Sequence, residues 1–223
     1  MPRTLLPVLE ESEKKRLQTL MRYERKARKD GYQVIAGIDE AGRGPLAGPV
    51  VAAACYIPLR TIIPHVNDSK QLTPKRRAEI FDYIMSNQKI IWGVGIISHE
   101  IIDEVNIYQA TILAMKQAVA NLGVRPQMLL VDGLKLSHEE IPCEKIIKGD
   151  AKSHSIAAAS IIAKETRDRI MEDYHARWPE YGFDSHKGYG TQQHQEALAK
   201  FGPCPIHRKS FEPIRNLLHP VNS

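Results

Sequence analysis

Two adjacent carboxylates, Asp39 and Glu40, close an apolar run and are followed at once by Gly42-Arg43-Gly44. Residues 33–38 predict a buried strand, and the glycines with Pro45 predict a turn after it. Neighbouring strand residues point to opposite faces, so the two carboxylates share one site only if the backbone turns there, as glycine permits. Because acidic side chains seldom close a buried strand without a partner, the pair indicates a metal site.

Two further aspartates also stand at the ends of predicted strands: residues 127–133 are an apolar strand that ends in Asp132 and Gly133, and Asp150 follows the strand 143–148. In open α/β sheets, ligands gather beyond the carboxyl ends of strands, so we expect all four carboxylates at one edge. Oxygen ligands suit Mg²⁺ or Mn²⁺, and two such ions about 3.5–4 Å apart can displace a phosphodiester oxygen. Taken singly, Asp132 and Asp150 are more typical of a turn and a helix cap. The joint pattern favours the metal site.

The tripeptide Gly42-Arg43-Gly44 has two interpretations. It is either a tight turn that exposes an arginine, or a backbone that approaches a ligand closely while Arg43 binds phosphate oxygens. A dinucleotide-binding fingerprint is excluded because no G-x-G-x-x-G spacing opens a helix here. The tripeptide alone leaves both interpretations open.

The elements around these residues predict an α/β fold, a mixed sheet covered by helices. A charged surface helix is expected ahead of the first strand, and the region from 178 to 209 is rich in loops. The other predicted strands are 49–57 and 89–97, and the predicted helices are 10–30, 75–85, 106–121, 153–175 and 191–200.

Length and composition predict one main domain. The chain has 223 residues, of which 43% are hydrophobic and 26% charged, as in ordinary globular proteins. We expect residues 1–32 to be a charged helical extension. Residues 33–223 then form the catalytic domain, with a helical and loop-rich region from about 176 onward.

Charge and cysteine content limit the partners and the cellular compartment that we expect for the protein. A net charge of +5 and a pI near 9.0 permit a phosphate-rich partner without requiring one. Three widely spaced cysteines fit neither a disulfide framework nor a zinc ribbon. No leader peptide or membrane span is predicted, and we expect a monomer in the cytoplasm.

Several ordered motifs resemble the bacterial type 2 ribonuclease H family, ribonuclease HII, from about Val34 to Leu218. They are Ile38-Asp39-Glu40-Ala41-Gly42-Arg43-Gly44-Pro45, Asn67-Asp68-Ser69-Lys70, Asn106-Ile107-Tyr108-Gln109-Ala110-Thr111, Val131-Asp132-Gly133, and Gly149-Asp150 through Ala163-Lys164. The resemblance implies the ribonuclease H fold, a five-stranded mixed sheet flanked by helices. It also implies two Mg²⁺ or Mn²⁺ ions, and it places the catalytic and metal-binding carboxylates at Asp39, Glu40, Asp132 and Asp150.

The resemblance further implies a substrate: RNA/DNA hybrids and single ribonucleotides in duplex DNA, cut on the 5′ side to leave 3′-hydroxyl and 5′-phosphate ends. In the family, the backbone at Gly42-Arg43-Gly44 senses the ribose 2′-hydroxyl, and the tyrosine matching Tyr189 stacks on the neighbouring deoxyribose. The 2′-hydroxyl is the group that distinguishes RNA from DNA at one position. Without the resemblance, Tyr189 is more typical of an aromatic that pins the C-terminal loops onto the core.

Five residues in motif segments are candidates for phosphate contacts: Lys70, Asn106, Ser153, His154 and Lys187. For Asn106 and Ser153 a helix N-cap is an equal alternative. His186, His194 and His207 are more typical of surface or loop-packing residues than of ligands, since Mg²⁺ prefers oxygen.

Two rival assignments remain open at this point. The sister type 3 enzyme shares the fold but carries a sizeable extra N-terminal domain, which about thirty charged residues cannot form. The other rival is a binding module that kept a basic groove and lost catalysis, and the four intact carboxylates argue against it.

Overall fold

A single five-stranded sheet organises the computed structural model, which describes residues 9–218. The strands are β1 (Ile35–Ala41), β2 (Val50–Tyr56), β3 (Ile91–Ile97), β4 (Met128–Asp132) and β5 (Cys143–Ile146). Their order is β3-β2-β1-β4-β5, and β4 pairs in parallel with both β1 and β5. The predicted five-stranded mixed sheet with helices is confirmed. The predicted strand end was wrong, because β1 continues through both carboxylates and the turn begins only at Gly42.

Helices connect and follow these strands. They are α1 (Glu11–Leu20), α2 (Arg22–Lys29), α3 (Pro74–Ser86), α4 (His99–Ala120), α5 (His154–Arg177), α6 (Phe183–His186), α7 (Gln192–Phe201) and α8 (Ile214–Leu218). The start of α3 is as predicted, with Pro74 at its first position and the Thr73 side chain accepting a hydrogen bond from the Arg76 N–H. The predicted helix 10–30 is two helices that meet at Met21. The short α6 and α8 were not predicted.

The described residues divide into two compact units. The first contains the described residues up to Asp39 with Ala54–Trp92 and Gly123–Ile161; the second contains Glu40–Ala53, Gly93–Leu122 and the described residues from Ile162 onward. Of the predicted extension 1–32 and C-terminal region 176–223, residues 1–8 and 219–223 lie outside the described residues.

Each unit has its own apolar cluster. In the first unit, Ala27 of α2 packs with side chains of β1, β4, β5 and α5, namely Ile35, Met128, Leu130, Ile146 and Ile156. In the second unit, Phe183 is fully buried in a cluster formed by the C-terminal helices and loops with Leu46, Ala47 and Met171. The loop-rich C-terminal region therefore has a packed core.

Glycines let helices approach strands closely. A Cβ atom at Gly37 of β1 would lie 2.2 Å from the Ile156 nitrogen of α5. A Cβ at Gly95 of β3 would lie 2.0 Å from the Ala114 oxygen of α4. Any larger side chain at either position would push the helix away from the strand.

Within residues 9–218, no helix is both long and apolar enough to span a bilayer.

Candidate functional site

Three of the predicted carboxylates come together at the carboxyl ends of neighbouring strands. Asp39 lies near the end of β1, Asp132 ends β4, and Asp150 lies in the 3₁₀ turn Gly149–Ala151 that follows β5. The parallel register pairs the residues just before the two strand aspartates, Ile38 with Val131. One carboxylate oxygen from each of Asp39, Asp132 and Asp150 lies within 4.8 Å of the others. We call these three residues the carboxylate cluster.

Backbone hydrogen bonds orient two members of the carboxylate cluster. The Gly149 N–H donates to Asp132 Oδ1 at 2.5 Å, and the Ala151 N–H donates to Asp150 Oδ1 at 2.9 Å. Burial, and after it the negative charges of Asp132 and Asp68, raise the pKa of Asp150 to about 6. The ionised form of the Asp150 carboxyl is therefore disfavoured in this environment.

Asp68 and Lys70 border the carboxylate cluster. Asp68 contributes to the raised pKa of Asp150, and its side chain accepts a hydrogen bond from the Lys70 N–H at 2.9 Å. Burial alone would lower the pKa of the Lys70 ammonium, but nearby carboxylates, led by Asp39 and Asp68, raise it. Lys70 is therefore a cation held in the field of the carboxylate cluster. Asp68 was missed as a site residue, although the motif Asn67-Asp68-Ser69-Lys70 contained the signal.

The donor set of the carboxylate cluster fits a hard divalent cation. Three carboxylates converge, and burial together with the negative charges of Asp132 and Asp68 raises the pKa of Asp150. Bringing a cation between the three carboxylates would neutralise their mutual repulsion, and an all-oxygen donor set is the one that Mg²⁺ and Mn²⁺ prefer.

Glu40, the fourth predicted carboxylate, follows Asp39 directly in β1 and is half-buried. Its Oε1 lies 3.4 Å from Nη1 of Arg43. Within the described residues, the group of carboxylates close enough to share one ion consists of Asp39, Asp132 and Asp150. Glu40 is not in that group, which agrees with the alternation of side chains along a strand.

Gly44 and Tyr189 are exposed, so that backbone is accessible beside an aromatic ring, whereas Gly42 next to them is buried. Gly42 has a positive φ of 96°, and a Cβ there would lie 2.1 Å from Nε of Arg167, so glycine is required. A Cβ at Gly44 would lie 3.7 Å from Cε1 of Tyr189. The Tyr189 side chain is 43% exposed. A ligand could therefore touch the Gly44 backbone and the ring together.

Asn106 and Lys187, two of the residues predicted to contact phosphate, both form hydrogen bonds within the protein. The Asn106 side chain caps the second part of α4, accepting hydrogen bonds from the N–H groups of Tyr108 and Gln109. Asn106 itself has a φ of 69° and interrupts that helix. Lys187 is half-buried, and its ammonium donates to Glu172 at 2.7 Å. Of the two roles predicted for Asn106, the structure therefore shows the helix cap.

Ser153 and His154 are buried at the start of α5. Ser153 Oγ donates to Glu24 of α2 at 2.6 Å and accepts from the Ile156 N–H. Nε2 of His154 accepts from the Ile63 N–H, and burial lowers the pKa of His154 to about 4, so it is neutral at pH 7. Both side chains are engaged within the protein.

Glu24 was not anticipated from the sequence. Its Oε1 also accepts from the N–H and the hydroxyl of Ser155, at 2.9 and 2.7 Å. The charged N-terminal helix α2 thereby supplies the cap of α5, immediately after the turn that carries Asp150. A residue that caps a helix 129 positions away along the chain carries no local sequence signal.

Comparison with known proteins agrees with this fold. A sequence model of the family Ribonuclease HII matches residues 36–214. Ribonuclease HII of Chlamydia caviae is 59% identical over 189 residues, covering 85% of this chain and 89% of the relative. Ribonuclease HII of Chlamydia pneumoniae is 55% identical over 206 residues, covering 92% and 96%. The crystal structure of ribonuclease H2 from Pyrococcus horikoshii OT3 has a TM-score of 0.70 at 30% identity, covering 82% of this chain and 96% of that one.

The fold and the site define a nuclease of the ribonuclease H class, a hydrolase. Within that class, the chain belongs to the ribonuclease HII family. The predicted resemblance is confirmed, and it decides against the type 3 family and against a module without catalysis.

Proposed function

We propose that the protein is an endonuclease that cuts the RNA strand of RNA/DNA hybrids and cuts duplex DNA 5′ of a single embedded ribonucleotide. The products carry 3′-hydroxyl and 5′-phosphate ends. Such an enzyme removes ribonucleotides and primers from DNA, here as a monomer in the cytoplasm. The observation that supports the proposal is the carboxylate cluster, whose oxygens lie within 4.8 Å of one another, in a chain of the ribonuclease HII family.

Two divalent ions, Mg²⁺ or Mn²⁺, would be held by Asp39, Glu40, Asp132 and Asp150. Such ions, when bound, activate water and stabilise the leaving 3′ oxygen of the phosphodiester. The protein holds the ligands in place, for example through the N–H of Gly149 on Asp132. Lys70 adds a positive charge beside the carboxylate cluster, where it can attract a phosphate.

Sugar recognition is assigned to residues 42–44 and Tyr189, which we call the sugar-recognition segments. The backbone at Gly42, Arg43 and Gly44 would contact the 2′-hydroxyl of the ribonucleotide. The ring of Tyr189 would pack on the next sugar, where a 2′-hydroxyl would clash. The exposed ring at van der Waals distance from the Gly44 position supports this assignment.

Phosphate contacts are assigned to Lys70 and Lys187 directly, and to the amide NH₂ of Asn106, whose Oδ1 serves as the helix cap. For Ser153 and His154 the proposed role is indirect, because both side chains are buried where they hold the start of α5. Residues 33–223 form the catalytic domain in this proposal, and residues 1–32 are a helical extension.

The proposal is tested with a duplex that carries one ribonucleotide in otherwise DNA strands. Cleavage is expected with Mg²⁺ or Mn²⁺ and is expected to stop when the ions are chelated. An all-DNA duplex of the same sequence is the control and should stay intact. Failure to cut the one-ribonucleotide duplex with either ion would overturn the proposal.

A further inference from the structure

Arg208 is a fully buried arginine that binds the backbone around the sugar-recognition segments. Its guanidinium donates to the carbonyl oxygens of Gly42 at 2.5 Å and Arg43 at 3.0 Å. The same side chain also donates to the carbonyls of Gly48 and Pro49, at 3.0 and 3.2 Å. Burial lowers the pKa of Arg208 to about 9, so it remains charged at neutral pH. One side chain thus fixes both ends of the segment 42–49.

His207, the preceding residue, is connected to the other sugar-recognition segment. Its Nε2 lies 2.9 Å from Nε2 of His194, and Nδ1 of His194 lies 2.9 Å from the carbonyl oxygen of Tyr189. Both imidazoles are buried, with exposed fractions of 1% for His207 and 0% for His194. The Tyr189 turn is therefore linked to His207 through one intermediate side chain.

The hydrogen-bond partners determine the tautomer of each histidine. A carbonyl only accepts, so His194 must carry its proton on Nδ1 to donate to Tyr189. The Nε2 of neutral His194 is then an acceptor, and Nε2 of His207 must be the donor. This leaves Nδ1 of His207 as the acceptor for the Cys204 N–H at 2.9 Å. The Cys204 carbonyl oxygen lies 3.1 Å from the same nitrogen and accepts from the backbone N–H of His207 instead.

The histidine chain needs neutral imidazoles. Burial lowers the pKa of both His194 and His207 to about 4, so both are neutral at pH 7. Protonating His194 would set its Nε2–H against the Nε2–H of His207 at the 2.9 Å contact, and protonating His207 would remove the acceptor for the Cys204 N–H.

Backbone pairing brings the same two loops together. The Leu46 N–H donates to the Gly188 carbonyl at 2.8 Å, next to Tyr189. On its other side, Leu46 accepts from the Arg208 N–H at 2.9 Å, and Ala47 forms an isolated antiparallel bridge with His207. The segment around Leu46 and Ala47 is therefore held between the Tyr189 turn and the His207-Arg208 pair.

We propose that His207 and Arg208 are positioning residues that set both sugar-recognition segments relative to each other. Arg208 fixes the backbone at Gly42 and Arg43, and His207 fixes the Tyr189 turn through His194. The inference rests on the proposed function, since it assumes that these segments read the sugars. It adds that selectivity between substrates depends on two residues that do not touch the nucleic acid.

Two variants remove one connection each. Arg208→Lys keeps the charge but replaces the five-donor fork by a single ammonium, so the carbonyls cannot all be bound. His207→Asn keeps an acceptor near the Nδ1 position for the Cys204 N–H but lacks the donor to His194. For each variant, kcat/KM is measured on a one-ribonucleotide duplex and on a continuous RNA/DNA hybrid. The ratio of the two values is expected to fall roughly tenfold, because small misplacements of positioning groups have effects of this size.

Two further variants are controls. Arg215→Lys makes the same exchange at an exposed arginine that pairs with Glu212 and should leave the ratio unchanged. Met115→Ala removes a fully buried side chain of α4 and shows how far general destabilisation alone changes the ratio. An unchanged ratio in Arg208→Lys and His207→Asn, or an equal fall in Met115→Ala, would overturn the inference.

The tautomers give a readout that does not depend on activity. In long-range ¹H–¹⁵N spectra of the wild-type protein at pH 7, His194 is expected as the Nδ1–H form and His207 as the Nε2–H form. The reverse pair of tautomers would overturn the histidine link even if the variants did not fold. If the wild type failed to cut the one-ribonucleotide duplex while these tautomers were observed, the proposed function would fail and the histidine link would stand.

Discussion

The carboxylate cluster and the sugar-recognition segments are held by opposite kinds of interaction. In the carboxylate cluster, like charges converge, and burial with neighbouring carboxylates raises the pKa of Asp150 to about 6. Around the sugar-recognition segments, backbone carbonyls converge on the buried guanidinium groups of Arg167 and Arg208 and on the neutral His194. The first arrangement gains stability from an added cation, whereas the second contains its own cations.

This difference separates two requirements of one reaction. Chemistry at a phosphodiester needs a charged centre, and converging carboxylates create one at the cost of mutual repulsion. Recognition of a sugar needs a rigid surface, which hydrogen bonds to backbone carbonyls supply without an added ion. Variants in the two regions should therefore fail in different ways.

The largest effect is expected for Asp39→Asn, which removes one charge from the carboxylate cluster. Cleavage should fall by roughly 10³-fold or more, because a neutral amide holds a divalent cation more weakly than a carboxylate does, and the cation is the group that would stabilise the anionic transition state. Binding of the duplex should be largely retained, as measured by fluorescence anisotropy. Asp30→Asn, an exchange at an exposed aspartate, is the matched control. Full activity of Asp39→Asn would contradict the assignment of the carboxylate cluster.

Lowering the pH should change the contributions of the two regions to the free energy of unfolding in opposite directions. His194 and His207 have a folded pKa of about 4 against an ordinary value near 6.5, so the unfolded state binds more protons between these values. Their contribution to stability is lost as the pH falls from about 6.5 towards about 4, by up to about 1.4 kcal/mol per pH unit for each histidine. For Asp150 the raised pKa gives the reverse sign, and its contribution becomes more favourable as the pH falls through about 6.

Urea denaturation of the metal-free protein at pH 7 and pH 5 tests this contrast. A double variant, His194→Asn with His207→Asn, should lose less stability between the two values than the wild type does. His154, whose pKa is also lowered to about 4, titrates in both proteins and cancels in the difference. Equal losses of stability in the wild type and the double variant would mean that the histidine pair does not titrate as described.

A smaller effect is expected for Tyr189, whose proposed role is in substrate choice. Tyr189→Ala should lower kcat/KM on the one-ribonucleotide duplex about tenfold, since an aromatic stacking contact is worth roughly 1–3 kcal/mol. Tyr189→Phe keeps the ring and should be close to the wild type. If Tyr189→Phe lost as much kcat/KM as Tyr189→Ala, the phenolic hydroxyl rather than the ring would be the important group, contrary to the proposed packing on the sugar.

The smallest effect is expected for Glu24, which connects α2 to the start of α5. Glu24→Ala should lower the free energy of unfolding by about 1 kcal/mol, the usual size of a lost helix cap. Glu24→Gln retains an acceptor for Ser155 and should lose less. Glu10→Gln, at an exposed position ahead of α1, is the control for the charge. No change in the urea midpoint of Glu24→Ala would show that the cap is not needed for stability.

Local patterns in the sequence account for much of the fold. Apolar runs located the five strands, and Thr73-Pro74 located the start of α3, because these signals come from residues close together in the chain. Boundaries were less accurate where long-range packing decides them. The β1 strand extends to Ala41, and α4 begins before Asn106 and continues beyond that residue's positive φ.

The candidate site was predictable to the extent that it lies in motifs. Asp39, Asp132 and Asp150 stand at strand ends, so the sheet brings them together as expected. The residues that hold the site were not found, because their partners are distant in sequence. Arg208 binds carbonyls more than 150 positions away, and Glu24 caps α5 from the N-terminal helix.

The most direct test of the account is a map of the cleavage products of a duplex with one ribonucleotide, made with Mg²⁺ or Mn²⁺ present. A single cut on the 5′ side of the ribonucleotide is predicted, with a 3′-hydroxyl on one fragment and a 5′-phosphate on the other. Cutting on the 3′ side of the ribonucleotide would contradict it. A 2′,3′-cyclic phosphate end would also contradict it, because the 2′-hydroxyl would then be the nucleophile instead of the group that the Gly42-Arg43-Gly44 backbone is proposed to recognise.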